Sequence, residues 1–220
     1  MLHASPLLLL LLALGWVMPL FVQEIHAQSI SAGEYINCFL NHDGKPRCTG
    51  LHARTNLDSQ DRFIGIQAGS SNACGLRANR TLACHGSAIG LSAIGGRSPF
   101  GNRTLKSFSL GKGNLCAITL HGEGVLCTYG SYTPPSTGHF TMVSTYRHLF
   151  ALALHVNGSI VTWGRDKYGL LNPPAGTFTH VVAGSGLACA RHNDTGYWTC
   201  WGKSDYARPL SNIRYLHVAL

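Results

Sequence analysis

The sequence predicts an all-β chain, a β-propeller of about five disulfide-stapled blades, and three observations predict it. The first is composition: 26 glycines, eight cysteines and only 12% charged residues in 220 suit short strands and many turns, and no stretch sustains a helical apolar period. The second is an internal repeat of roughly forty residues, a blade-like period. The third is that all eight cysteines fall at two positions of that repeat.

The elements follow in order when Gly33, Gly69, Gly111, Tyr146 and Gly184 are set in register as anchors, 36, 42, 35 and 38 residues apart. Six residues before the anchor stand Phe63, Leu105, Phe140 and Phe178. Each opens a β-rich run, and residues 29–32 serve as the opening strand of the first repeat. Five residues after the anchor come Cys38, Cys74, Cys116, Ala151 and Cys189, and ten or eleven later Cys48, Cys84, Cys127, Thr162 and Cys200. Gly50, Gly86, Gly130, Gly164 and Gly202 close the units. About four short strands are expected per unit. The repeat divisions are 28–62, 63–104, 105–139, 140–177 and 178–214, with a partial sixth at 215–220.

The fourth repeat lacks both cysteines together, which makes the two positions partners. The expected bridges are Cys38–Cys48, Cys74–Cys84, Cys116–Cys127 and Cys189–Cys200. The midpoints fall at Asp43, Asn79, His121/Gly122 and Asp194/Thr195, residues suited to hairpin tips. Partners equidistant from a turn face each other across an antiparallel pair, about 4.5 Å apart at a non-hydrogen-bonded site. Zinc fits poorly, because its ligand pairs usually stand about two to four residues apart.

An apolar run over residues 6–22 reads as a secretory signal, with cleavage after Ala27. An uncleaved anchor is the alternative, since residues 1–5 carry no Lys or Arg. Removing residues 1–27 takes away Glu24 but no base, so the formal charge rises from plus eight to plus nine. Such a surface suits anionic polysaccharide, acidic protein or phospholipid headgroups. With no dense Lys/Arg cluster, scattered charge on an exported glycoprotein is the favoured reading. Export, and the lack of any binding motif, count against nucleic acid. Sequons at Asn79, Asn102, Asn157 and Asn193 mark glycosylation candidates, three of them at or beside hairpin tips.

The run Ala188, Cys189, Ala190 to Cys200, Trp201, Gly202, with residues 158–166, resembles regulator of chromosome condensation repeats. That resemblance implies a seven-bladed propeller. The cysteine-bearing version, including residues 72–77 (Asn-Ala-Cys-Gly-Leu-Arg), resembles the extracellular domain of plant Crinkly-type receptor-like kinases. It covers essentially the whole chain after the leader and is strongest in the second, third and fifth repeats. Five repeats and the opening of a sixth suggest either a reduced propeller or a shortened product of a longer receptor-like chain. No Gly-rich phosphate loop with its lysine and no His-Arg-Asp catalytic loop is present. The nucleotide-exchange activity of the nuclear founding family does not suit an exported chain.

Chemistry is weakly supported. The twelve histidines are dispersed, with His42 and His121 near turns and His180 and His217 at one repeat position, which suits structural roles. Carboxylates such as Glu34, Glu123 and Asp166 fall in different repeats with no acid/base spacing. No enzyme activity, metal or cofactor is expected. Trp163 and Trp201, at equivalent positions, are expected to pack between blades. Linker aromatics Phe100, Tyr132, Tyr168 and Tyr206 suit a binding rim, because propellers commonly bind through loops held by rigid strands. Tyr132, beside Pro134 and Pro135, and Tyr168, before Pro173 and Pro174, are the candidates for ligand contact; ordinary loop packing is the alternative. The expected function is extracellular recognition of a protein, peptide or glycan, with no membrane span after leader removal. The alternative is a secreted structural or inhibitory propeller, as in bacterial β-lactamase inhibitors with related repeats.

Overall fold

Among the described residues, five three-stranded antiparallel sheets follow one another along the chain. The computed structural model describes residues 30–50, 57, 60–86, 98–122, 124–128, 133–147 and 150–203; the leader at 1–27, Tyr132 and the tail at 215–220 lie outside the described residues. The first sheet holds β1 (Ile30–Ala32), β2 (Ile36–Leu40) and β3 (Pro46–Gly50). The second holds β4 (Phe63–Ala68), β5 (Asn72–Arg77) and β6 (Leu82–Gly86). The third holds β7 (Leu105–Leu110), β8 (Leu115–Thr119) and β9 (Val125–Cys127). The fourth holds β10 (Phe140–Tyr146), β11 (Phe150–His155) and β12 (Ile160–Gly164). The fifth holds β13 (Phe178–Ala183), β14 (Leu187–His192) and β15 (Trp198–Gly202). Among the described residues no helix is long and apolar enough to cross a membrane.

The middle strands β5, β8 and β11 are buried on both faces almost throughout, as expected of strands sandwiched between neighbouring sheets. Apolar clusters accordingly sit between successive sheets. Ile36, Phe63 and Ile66 join the first two, and Leu76, Leu82, Leu105 and Leu115 the second and third. Ile118, Val143 and Trp163 join the third and fourth, and Leu152, Leu154, Phe178 and Val181 the fourth and fifth. Trp163 is buried in its cluster, and Trp201 packs on the last while donating Nε1 to the Leu170 carbonyl at 3.0 Å. Both tryptophans therefore pack between blades as expected, and Phe100 packs on the cluster between the second and third sheets.

The four expected disulfides are present, with Cα atoms 4.0–4.1 Å apart. Each bridges directly opposed residues of the second and third strands of its sheet. The fourth sheet corrects one alignment. Thr162 lies opposite Leu152, while Ala151 lies opposite Trp163. The register on the inner strand explains this: Ser31, Gln67, Ser109 and Val182 face cysteines, and their counterpart Ser144 faces Leu152. The turn after β10 is one residue longer than its equivalents, so equal spacing from the anchor misplaces the position by one. A buried Leu152 occupies the place of the missing cysteine.

Among the described residues each sheet has three strands rather than the expected four, which is the second correction. In the fourth repeat the linker at 165–177 is fully described and contains no strand. Pro173 and Pro174 supply no backbone donors, Asp166 Oδ1 accepts the Leu171 amide at 3.2 Å, and Leu170 is buried against its neighbours. Linker side chains thus do the packing a fourth strand would have done.

Two sets of bonds join successive sheets among the described residues, the first at three of the four junctions and the second at all four. At one end, Phe63, Leu105 and Phe178, which begin β4, β7 and β13, donate their amides to carbonyls at the preceding hairpin tips, Gly44, Arg80 and Gly158, at 2.8–2.9 Å. Near the other end, a polar side chain on one inner strand accepts a backbone amide from the next. Ser31 Oγ accepts Ala68, Gln67 Oε1 accepts Leu110, Ser109 Oγ accepts Thr145 and Ser144 Oγ accepts Ala183, at 2.8–3.0 Å. An inner strand is a sheet edge with unpaired amides, and this clasp satisfies one of them. Val182, at the equivalent position of the fifth repeat, carries no acceptor.

Candidate functional site

Each inner strand runs from the hairpin-tip end toward its anchor, so the five anchors gather at one end of the sheets. There the ends of β1, β4, β7, β10 and β13 line a single cavity of about 500 Å³. The repeat glycine is required because successive anchors touch. A Cβ on Gly33 would collide with the Gly69 carbonyl, and one on Gly111 would stand 2.9 Å from the Arg147 amide nitrogen. Only the fourth repeat departs, with Tyr146 in place of glycine.

The residue after each anchor is Glu34, Ser70, Lys112, Arg147 or Ser185. The first four line the cavity, and Ser185 bonds the Tyr146 hydroxyl. Lys112 Nζ reaches from the third repeat to Glu34 Oε2 of the first at 2.6 Å, and Ser70 Oγ donates to the same oxygen at 2.9 Å. These two hydrogen bonds, Lys112 first, hold the Glu34 carboxyl below its usual pKa. Arg147 Nε donates to the Tyr146 hydroxyl at 3.3 Å, with the guanidinium 5.6 Å from the ring centre. The Ser185 bond, and then Arg147, bring the Tyr146 phenol below its usual pKa. Arg147 has no carboxylate within ion-pair distance among the described residues. The mouth therefore carries one carboxylate, two cations, one phenol and two hydroxyls.

Tyr168 is brought beside this mouth. A Cβ on Gly186 would stand 3.3 Å from two ring carbons of Tyr168, so the ring lies against the 184–186 turn whose Ser185 holds Tyr146. Its side is exposed, at 46%, and Lys167 Nζ stands 4.9 Å from the ring centre. The other candidate aromatic, Tyr132, lies outside the described residues.

The four sequon asparagines are exposed, and all lie at the opposite end. Asn79, Asn157 and Asn193 are in hairpin tips, and Asn102 precedes β7. Asn79 and Asn157 each accept hydrogen bonds from the amide and hydroxyl of their own sequon's Thr81 or Ser159. No group of three metal-ligating side chains gathers among the described residues. Sequence spacing hid the charged mouth, since Glu34, Lys112 and Arg147 stand in three different repeats. The signal that was available is their shared place, one residue past each anchor.

These features define a disulfide-stapled, repeat-built β-propeller scaffold with a polar axial cavity. More particularly, the propeller is similar in fold to those of plant receptor kinase ectodomains and of yeast RCC1 (Prp20). Among solved structures, the Crinkly ectodomain of the Arabidopsis thaliana receptor kinase ACR4 is similar at 21% identity and a TM-score of 0.63, over 79% of this chain and 67% of that one. The entire ectodomain of the Physcomitrella patens receptor kinase CR4 is similar at 23% identity and a TM-score of 0.66, over 83% of this chain and 53% of that one. Prp20p of Saccharomyces cerevisiae, whose binding to Gsp1p and histones has been described, gives 14% identity and a TM-score of 0.65 over 79% of this chain and 57% of that one. At these identities the likeness establishes the fold. The chain spans about two thirds of the first ectodomain and about half of the second. No protein-family model matches the sequence, and comparison with curated proteins finds no match.

Proposed function

We propose that this chain is an extracellular recognition domain that binds a protein, peptide or glycan at the anchor end of the propeller. The observation that carries the proposal is the cavity to which all five inner strands contribute, with Glu34, Lys112, Tyr146 and Arg147 at its mouth. A fold needs a packed axis, but it has no need of exposed charges there. The likeness to two receptor kinase ectodomains supports the reading. Four disulfides suit an oxidising compartment.

Export with removal of residues 1–27, and glycans at Asn79, Asn102, Asn157 and Asn193, belong to the same proposal. Every one of these asparagines lies at the tip end, so glycans there leave the mouth clear. The division into five repeats at 28–62, 63–104, 105–139, 140–177 and 178–214, with 215–220 opening a sixth, is carried with it.

The test is to secrete the chain from eukaryotic cells, sequence its N-terminus, map its glycans, and measure binding to panels of extracellular peptides, proteins and glycans on a biosensor. Saturable binding that is lost when the mouth is substituted, with unchanged thermal stability, is the expected result. Retention in the cytosol removes the export reading, and absence of saturable binding across the panels removes recognition.

A further inference from the structure

The fourth repeat differs from its neighbours in three ways, two of which meet at the cavity mouth. It lacks the disulfide, its anchor is Tyr146 instead of glycine, and its turn is one residue longer. The extra residue leaves Arg147 in the left-handed region at φ 52, which is uncommon for a side chain of this kind. Only three non-glycine residues among those described have positive φ: Arg80 at a hairpin tip, Arg147, and Tyr168 at φ 66. Tyr168 lies against the 184–186 turn, and Arg147 meets that turn's Ser185 through the shared Tyr146 hydroxyl. Backbone conformations of this sort cluster where a side chain is held for use.

The side chains so held form a continuous strip. It starts at Lys112 and Arg147 on the axis, passes over the Tyr146 ring and the Ser185 hydroxyl, and reaches the exposed Tyr168 ring with Lys167 above it. The nearby carboxylates offset it only in part, two against the three cations Lys112, Arg147 and Lys167. Asp166 accepts the Leu171 amide, and Glu34 ion-pairs with Lys112 while also accepting Ser70 Oγ and acting on Arg147 through charge alone; the Lys112 pair is half-exposed, so a ligand can exchange it.

Resting on the recognition reading above, we propose that this strip binds an extended acidic peptide segment, its carboxylates meeting Arg147, Lys112 and Lys167 and its intervening residues lying on Tyr146 and Tyr168. Charge complementarity calls for an anion. The strip runs from axis to rim, which suits an extended chain more than a compact small ion. Glu34 and Asp166 stand beside the cations and repel a uniform polyanion, so a segment with spaced carboxylates fits better than a polyuronate.

The probe is a fluorescein-labelled peptide of alternating glutamate and glycine, measured by anisotropy against the full secreted chain at several salt concentrations. An equivalent lysine and glycine peptide and labelled oligogalacturonate serve as comparisons. The expected result is binding of the acidic peptide alone, weakened by salt. Arg147→Ala should weaken it about tenfold, as for loss of a charged hydrogen bond, and Lys167→Glu, at an exposed position, by a similar factor. Glu34→Gln should tighten it by releasing Lys112, a gain that a merely structural role would not produce. Failure of the peptide to bind at low salt, indifference to Arg147→Ala and Glu34→Gln, or preference for oligogalacturonate overturns the proposal. A protein partner bound equally by wild type and Arg147→Ala would leave the recognition reading standing while removing this site. Failure of every panel removes both.

Discussion

Replacing Ser109 by alanine isolates the clasp that joins one inner strand to the next. Ser109 Oγ accepts the Thr145 backbone amide at 3.0 Å, and both residues are buried, 8% and 6% exposed. The substitution removes one oxygen, changes packing little and leaves a backbone donor at a sheet edge without its acceptor. The net value of such a bond is about 1 kcal/mol, and a stranded buried donor costs about 1–3 kcal/mol. Ser109 borders the axial cavity, so water entering there holds the loss toward the lower part of that range. A destabilisation of about 1–2 kcal/mol corresponds to a Tm lower by roughly 2–8 °C for a domain of this size. Thermal unfolding followed by circular dichroism at fixed pH measures it, with Ser136→Ala, at an exposed serine, as the control expected to stay within about 0.5 kcal/mol. If Ser109→Ala loses no more than Ser136→Ala, the clasp contributes nothing to blade docking and its repetition in four repeats is only geometric.

Three further outcomes follow from particular contacts. Leu152→Cys with Thr162→Cys should form a fifth disulfide, because these residues are direct partners, whereas Ala151→Cys with Thr162→Cys should leave both thiols open to alkylation; the reverse result overturns the corrected register. Asn114 Nδ2 donates to Thr145 Oγ1 at 3.0 Å, but the amide of Asn72, at the same repeat position, has no partner because Leu110 stands where Thr145 would. Asn72→Leu should therefore be neutral or stabilising and Asn114→Leu destabilising by about 1–3 kcal/mol in urea unfolding. Because the Glu34 pKa is depressed in the folded chain, its contribution to stability is present above the ordinary carboxylate pKa and is lost as pH falls through the lower folded value. The Tm difference between wild type and Glu34→Gln should accordingly be present at neutral pH and vanish in acid; a difference constant across that range removes the Lys112 bond as its cause.

The sequence by itself determined the class of the fold and most of its local pairing. Strand starts at Phe63, Leu105, Phe140 and Phe178, the hairpin tips and the four bridges were legible because they depend on neighbours within one repeat. A strand, a turn and a strand carry their own periodicity and turn chemistry. Only the tertiary structure decided what the repeats do together. The longer turn that moves Leu152 opposite Thr162 was hidden because one inserted residue leaves the apolar pattern of β11 plausible in either register. The strandless linker of the fourth repeat was hidden because a period near forty residues accommodates either a strand or a packed linker. The charged mouth was hidden for the same physical reason on a larger scale: Glu34 and Lys112 are 78 residues apart, and only the convergence of the inner strands, each anchor packed on the next, brings the first repeat's carboxylate to the third repeat's ammonium.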